Sequence, residues 1–526
     1  MNLKRKLWWA QHKSNVYKYG TILSLVLIVT ISIIYFTYSK FSSRNEATAY
    51  ETTVEPFIKN DYFIASYIDG EWSDSIPGKS DGYVVDNVVC DNGATGTWDN
   101  TDWGINIRNA TKKTKCSVYF KQIYKDNVIA EAPELAQGMI PVKFDASGNV
   151  IVADTSTKWY DYEAHEWANA VLVNCADNAI KSKYFDSNNK VLSSAVGKTI
   201  SMDEIMQMYV YIPRYKYQLF NAEDGTSVEQ AINITFESKT TAKSTGTKNG
   251  EWLTHPAFTF GDKELAGIWV GKFETSNTSA LPKIVPNVSS LRDMTVSAQF
   301  NTSRLMTTTL ASTYGTSTND DSHMMKNMEW GAVAYLSSSI YGRYTNTSTC
   351  IDSGCEVWIN NNSSYTTGCA GSSVSASEAS TCNAWNTATG VNASTTGNIY
   401  GIYDMSGGAA EYVMGNYNDT ISSAGFSSMP EAKYYDKYTG TDSSSESNDF
   451  TKYHLGDATK ETLKAKSTGQ RDAWYQDFNF SVYWYHPWVG HGGKYYNGSD
   501  AGVFNSDSFI GVSTSYASFR VAFGTL

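Results

Sequence analysis

The sequence predicts a β-rich chain that begins with one strongly apolar helix. Three observations carry that expectation. Residues 21–38 (TILSLVLIVTISIIYFTY) run for eighteen positions without a charge. Several later segments alternate apolar and polar residues with period two, the pattern of half-buried strands. The composition is 14% aromatic but only 18% charged, with 36 Tyr against 10 Pro, a bias that strands and contact surfaces share. At 526 residues the chain is long enough for two or three domains. Its net charge of -11, with no dominant basic face, argues against nucleic acid as a partner. Low charge with many rings also argues against long disorder.

The apolar run has about the minimum length for a membrane-spanning helix. Lys4, Arg5, Lys6, Lys13 and Lys18 precede it, and only Lys40 and Arg44 follow closely. The positive-inside rule then makes residues 1–20 a cytoplasmic basic segment, 21–38 a single-pass membrane helix and 39–60 an external stalk. A cleaved signal is the alternative. Its small-residue site at Ala47-Thr48-Ala49 lies too far past the run, which is itself long for a signal core. The expected location is the cell membrane, with the bulk of the chain outside.

Residues 61–130 read as a small β domain. Strand patterns occupy Tyr62–Ile68, 82–90, 103–107 and 116–120, and Asp91-Asn92-Gly93 is a tight-turn signal. Cys90 and Cys116 flank it and suit one disulfide, worth about 3–4 kcal/mol by loop closure. Residues 131–200 read as a second small β module, with a hairpin at Asp145-Ala146-Ser147-Gly148-Asn149. Ser201 to Glu204 has capping-box spacing, so a helix is expected there. Pro213 ends a strand or marks a sheet edge. Residues 201–526 form the head. Residues 327–336 (NMEWGAVAYL) predict an amphipathic helix. Residues 340–397 read as an insertion pinned by Cys350, Cys355, Cys369 and Cys382, whose three pairings are all open. Cys175 is left over, and no CxxC occurs.

Residues 397–412 (GNIYGIYDMSGGAAEY) resemble a signature of formylglycine-generating enzymes and sulfatase-modifying-factor domains. Residues 266–276 (AGIWVGKFETS) are similar to that family's opening strand, residues 518–522 (SFRVA) to its terminal strand, and the Trp330 segment to its helix. In that order they span about 260–526. The resemblance implies a C-type-lectin-like head, and so an α+β fold class overall.

The family's oxidases bind copper through two thiolates five residues apart at the terminal strand. Here those positions are Tyr516 and Val521, and no Cys follows Cys382. Without soft ligands Cu(I) chemistry is lost. The chain also lacks GxSxG, HExxH and Walker A sequences. The sequence therefore leans away from an enzyme, though a member with altered metal chemistry, or a structural appendage subunit, remains the alternative. His486 and His491 are better suited to a contact surface than to a metal. Glu411 occupies the position of a calcium-binding Glu in the family signature, but Gly408 replaces an Asn. Calcium is the one cofactor candidate, with a buried structural acid as the rival reading.

Residues 483–500 (YWYHPWVGHGGKYYNGSD) concentrate rings and small polar residues. That is contact-surface chemistry, rigid amphipathic rings beside adaptable hydrogen-bonding groups. Tyr485, Trp488, His491, Tyr495, Tyr496 and Asn497 are the candidate ligand residues, and Trp484 and Phe504 are expected in the core. The functional expectation is a catalytically inactive head that binds an extracellular protein or glycan.

Overall fold

The computed structural model describes residues 62–525, apart from 69–70, 73–75, 77–82, 100–101, 112–113, 123–129, 224–225, 347–348, 352–353, 442–448 and 465–470. The apolar run at 21–38 and the stalk at 39–60 lie outside the described residues. The expectation of a single-pass membrane protein is not upheld, because among the described residues no helix is long and apolar enough to cross a membrane. The fold class also needs correction. Among the described residues strand accounts for 33% and helix for 13%, so the architecture is predominantly β and not the α+β, C-type-lectin-like class expected.

The first sheet is antiparallel, in the order Glu71–Trp72, Tyr62–Ile68, Lys115–Gln122, Tyr83–Cys90. A hairpin, Thr95–Asp99 with Gly104–Arg108, accompanies it. Val118 and Phe120 are its buried centre, packed by Trp72, Trp98 and Trp103. Cys90 and Cys116 stand directly opposite each other and are disulfide-bonded. The turn after Cys90 places Asn92 at φ 55° and Gly93 at φ 76°, the left-handed pair that the Asn-Gly sequence favours.

The head is organised by an eight-stranded antiparallel sheet. Its order is Thr199–Ile200, Val150–Val152, Ile140–Phe144, Asn169–Val173, Ile205–Pro213, Gly267–Gly271, Val521–Gly524, Asp321–Met324. Four of the eight strands come from 140–200. The stretch expected to be a separate module is therefore half of the head's main sheet. The hairpin at Asp145 forms as its sequence predicts, with Asp145 Oδ1 accepting from the Ser147 and Asn149 amides. The helix expected from Ser201 does not form. Its capping residues make a turn, and the chain enters the central strand Ile205–Pro213, buried at every position. A strand covered on both faces needs continuous apolar character, not alternation.

The helix Asn327–Ser337 forms where expected, but all eleven residues are buried, so it is not amphipathic. Gly331 permits this. A Cβ there would lie 1.9 Å from the Gly456 carbonyl oxygen, so only glycine lets the 454–461 loop cross the helix.

The second large sheet runs Asp436–Tyr438, Ala410–Tyr417, Trp488–Gly492, Gly502–Phe509, Phe478–Asn479, Arg471–Asp472, with Ala517–Phe519 pairing in parallel on Ala410–Tyr417. The terminal chain belongs to both sheets. Ala517–Phe519 lies in this sheet and Val521–Gly524 in the eight-stranded one, so Arg520 is the residue at the crossing. Its guanidinium grips the Glu411 carboxylate at 3.1 and 2.5 Å and donates to the carbonyls of Gly271 (2.7 Å) and Tyr403 (2.9 Å). Gly271 belongs to the eight-stranded sheet and Glu411 to the second large sheet, so one buried side chain ties the two together.

In the Cys-rich region the pairs are Cys350–Cys355 and Cys369–Cys382, and Cys175 is a buried free thiol.

Candidate functional site

The second sheet carries a cleft of about 180 Å³. Its floor is Ala410 on one strand, Gly490 on the next and Phe509 on the third, and its polar wall includes Lys494, Asn497, Asp500, Asn505 and Asp507. Register explains the floor. Gly490 stands opposite Asp507, and Trp488 stands opposite Phe509. Side chains two apart on a strand share a face, so Asp507 and Phe509 point the same way. The Phe509 ring lies over Gly490, where a Cβ would come within 2.4 Å of it.

The wall is set by short-range bonds. Asn497 Oδ1 accepts from the Lys494 amide (2.6 Å), and the Asn505 side-chain amide donates to the Asp500 carbonyl (2.7 Å). Burial raises the Asp507 carboxyl above its usual range, against the opposing pull of Lys494 and of a hydrogen bond from the Ser508 amide. The Lys494 ammonium lies 4.2 Å from the centre of the Tyr516 ring and 5.8 Å from that of Tyr496. Tyr495 packs edge-on against both Tyr496 (4.9 Å) and Tyr365 (4.8 Å), and Arg292 covers Tyr365 at 3.9 Å. A row of rings with a cation near each end thus flanks the cleft.

The sequence-predicted ligand residues divide into three groups. Asn497 lines the cleft, and Tyr495 and Tyr496 stand beside it, with Tyr496 48% exposed. Tyr485 is 52% exposed but lies before the strand Trp488–Gly492, whereas the cleft residues Lys494 and Asn497 follow it. There it forms a second ring cluster with Tyr483, Trp484 and His486. Trp484, expected in the core, is 46% exposed, while Phe504 is buried as expected.

Trp488 and His491 are both fully buried in the strand; Trp488 lies away from the cleft lining, whereas His491 is part of it. Trp488 stacks on Phe426 and donates its indole N–H to the Ile421 carbonyl at 3.0 Å. His491 stacks on Trp330 at 4.8 Å. Its Nδ1 donates to the Asn505 carbonyl (2.5 Å), and its Nε2 lies 2.5 Å from Asn327 Oδ1. Burial pushes its pKa down to about 4, only partly offset by the Asn505 contact. His491 is held rigidly in the strand and lines the cleft.

Glu411, weighed as a calcium ligand or a buried structural acid, is buried and bonded to Arg520. Both of its oxygens are taken by Arg520, and no group of three or more His, Cys, Asp or Glu suited to a metal occurs among the described residues. Burial pushes its carboxyl up to about 7 despite Arg520. The neighbouring carboxyls of Glu274 and Asp404 are raised too, again chiefly by burial. Three buried acids thus share one cation. At the two positions where the resemblance would put thiolates, Tyr516 lies beneath the Lys494 ammonium and Val521 is buried in the terminal strand.

Lys494, Asn505 and Asp507 were not picked out by sequence reasoning. Asn505 and Asp507 lie outside the ring-rich 483–500 segment. Their signal is the period-two placement of Asn505, Asp507 and Phe509.

No family model matches the chain, and no curated protein matches it. Among solved structures it is similar to Treponema denticola variable protein 1, at 11% identity over 62% of this chain and 99% of that one, with a TM-score of 0.23. It is similar to the Major Tropism Determinant I1 variant at 12% identity, over 76% of this chain and 97% of that one, with a TM-score of 0.24. The M1 variant of the same protein gives 13% identity, the same coverages and a TM-score of 0.23. These scores are too low to establish a shared fold, and the functional reading rests on the site itself.

Proposed function

We propose that the head is a non-catalytic ligand-binding module, and that its ligand is a protein docking on the cleft and its rim of tyrosines. The observation that carries this reading is the combination of a recessed polar cleft with the exposed ring of Tyr496 and its neighbour Tyr495 beside it. Exposed rings of this kind are the anchors that dominate protein interfaces. The order of the 266–276, 397–412 and 518–522 segments supports descent from a sulfatase-modifying-factor-like ancestor. Tyr516 and Val521 at the thiolate positions support the loss of its copper chemistry. Three disulfides fit an oxidising compartment.

The test is a protein and glycan binding panel probed with the full chain, repeated with Tyr496→Ala and Tyr485→Ala. A protein binder whose affinity falls at least about tenfold in Tyr496→Ala supports the proposal, and one that loses affinity only in Tyr485→Ala docks elsewhere and overturns it. A binder indifferent to both removes this face from the function, and turnover of any panel member would overturn the non-catalytic reading.

A further inference from the structure

The cleft holds more hydrogen-bond acceptors than donors. The carboxylates of Asp500 and Asp507 face one lining ammonium, that of Lys494. Asn505 adds an unmet acceptor. It is 4% exposed, its amide nitrogen is committed to the Asp500 carbonyl, and its Oδ1 has no partner. A buried acceptor left unpaired is destabilising, so a ligand that donates to it is favoured. Lys494 does not fill the role, because its ammonium is drawn over the Tyr516 ring. That contact also shows that a ring beside this cleft can hold a cation.

We infer that the cleft seats an alkylammonium or guanidinium group, presented as a basic side chain by the protein ligand. This rests on the ligand-binding reading above and names the chemistry of its anchor. Asp507 and Asp500 would pair with the charge, Asn505 Oδ1 would accept one of its protons, and Tyr496 would cover its alkyl stem. An anionic ligand would meet two carboxylates against one ammonium. A neutral sugar would leave the surplus charge uncompensated. The net charge of -11 draws basic partners toward the protein from a distance.

Agmatine, which carries both a guanidinium and an ammonium, is the probe, titrated into the full chain by calorimetry, with methyl glucoside and acetate in parallel. Agmatine should bind at one site. Asp507→Asn should weaken it at least about tenfold, and Lys494→Met should tighten it by removing a competing cation. Asp500→Asn should also weaken it, which guards against a folding defect in one variant. The inference is overturned if agmatine does not bind, if both Asn variants bind like the wild type, or if methyl glucoside or acetate binds in its place. A panel binder that needs Tyr496 while agmatine fails would overturn the inference alone. Agmatine binding combined with a panel binder indifferent to Tyr496 and Tyr485 would overturn the docking face instead.

Discussion

Replacing Arg520 by Met tests the joint between the two large sheets. The guanidinium is fully buried, holds Glu411 through two bonds, and satisfies the Gly271 and Tyr403 carbonyls. Removing one partner of a buried ion pair costs about 3–5 kcal/mol, because the other charge stays buried and unpaired. Each orphaned carbonyl adds about 1–3 kcal/mol before relaxation. Arg520→Met should therefore destabilise the head by at least about 4 kcal/mol, a large share of the about 5–15 kcal/mol typical of a folded domain. The penalty should depend on pH. Glu411, Glu274 and Asp404 all have raised folded pKa values. Their contribution to stability is complete below the ordinary carboxylate range and is lost as pH rises through about 7 for Glu411. Without Arg520 these acids need protons even more, so the defect should be larger at pH 8 than at pH 5. The assay is urea unfolding followed by fluorescence of the buried tryptophans Trp269, Trp330 and Trp488 at both pH values. Glu411→Gln combined with Arg520→Met should recover much of the loss. A single variant within about 1 kcal/mol of wild type, or a double variant whose losses simply add, would refute the reasoning.

His323 lies between two buried carboxylates, with Asp321 at 2.8 Å and Glu329 at 2.9 Å. Burial alone would lower its pKa, but the two acids outweigh burial and raise it to about 9. Its stabilisation should be complete below about pH 6.5 and lost as pH rises through 9. His323→Gln should thus cost on the order of 3 kcal/mol at pH 6, and the gap to wild type in urea unfolding should shrink near pH 10. His491 behaves oppositely. Its depressed pKa means that wild type loses stability as pH falls from about 6.5 toward 4, and His491→Phe should remove that component of the acid transition while destabilising the protein at pH 7. Gly490→Ala should displace the Phe509 ring from the cleft floor and weaken agmatine binding, measured by the same titration, because its Cβ would come within 2.4 Å of that ring. Native protein should leave Cys175 unlabelled by maleimide, since the thiol is buried and burial raises its pKa; labelling at the rate of an exposed thiol would contradict its placement.

Legibility from sequence followed locality. The Asp145 hairpin, the turn at Asn92 and the helix Asn327–Ser337 were readable because local signals decide them. The role of residues 140–200 was not, because Asn169–Val173 joins the larger sheet through Ile205–Pro213, whose other partner Gly267–Gly271 lies more than fifty positions further along the chain, and nothing local distinguishes a separate module from half a sheet. The capping residues Ser201 and Glu204 gave a valid local signal that tertiary pairing of Ile205–Pro213 overrode. At the site, the ring-rich segment was visible, but which rings face solvent was not. The strand at Trp488 buries Trp488 and His491, while the turn before it exposes Trp484 and Tyr485. The decisive acceptors Asn505 and Asp507 come from the neighbouring strand, and register alone brings them to Gly490 and Lys494.

The central claim, that ligand docks on the cleft of the second sheet, is tested most directly by hydrogen–deuterium exchange of the full chain with and without a protein binder from the panel. The account expects slowed exchange across 493–509, with the small sheet at 62–122 unchanged. Protection confined to that small sheet, with 493–509 exchanging as in the free protein, would contradict it.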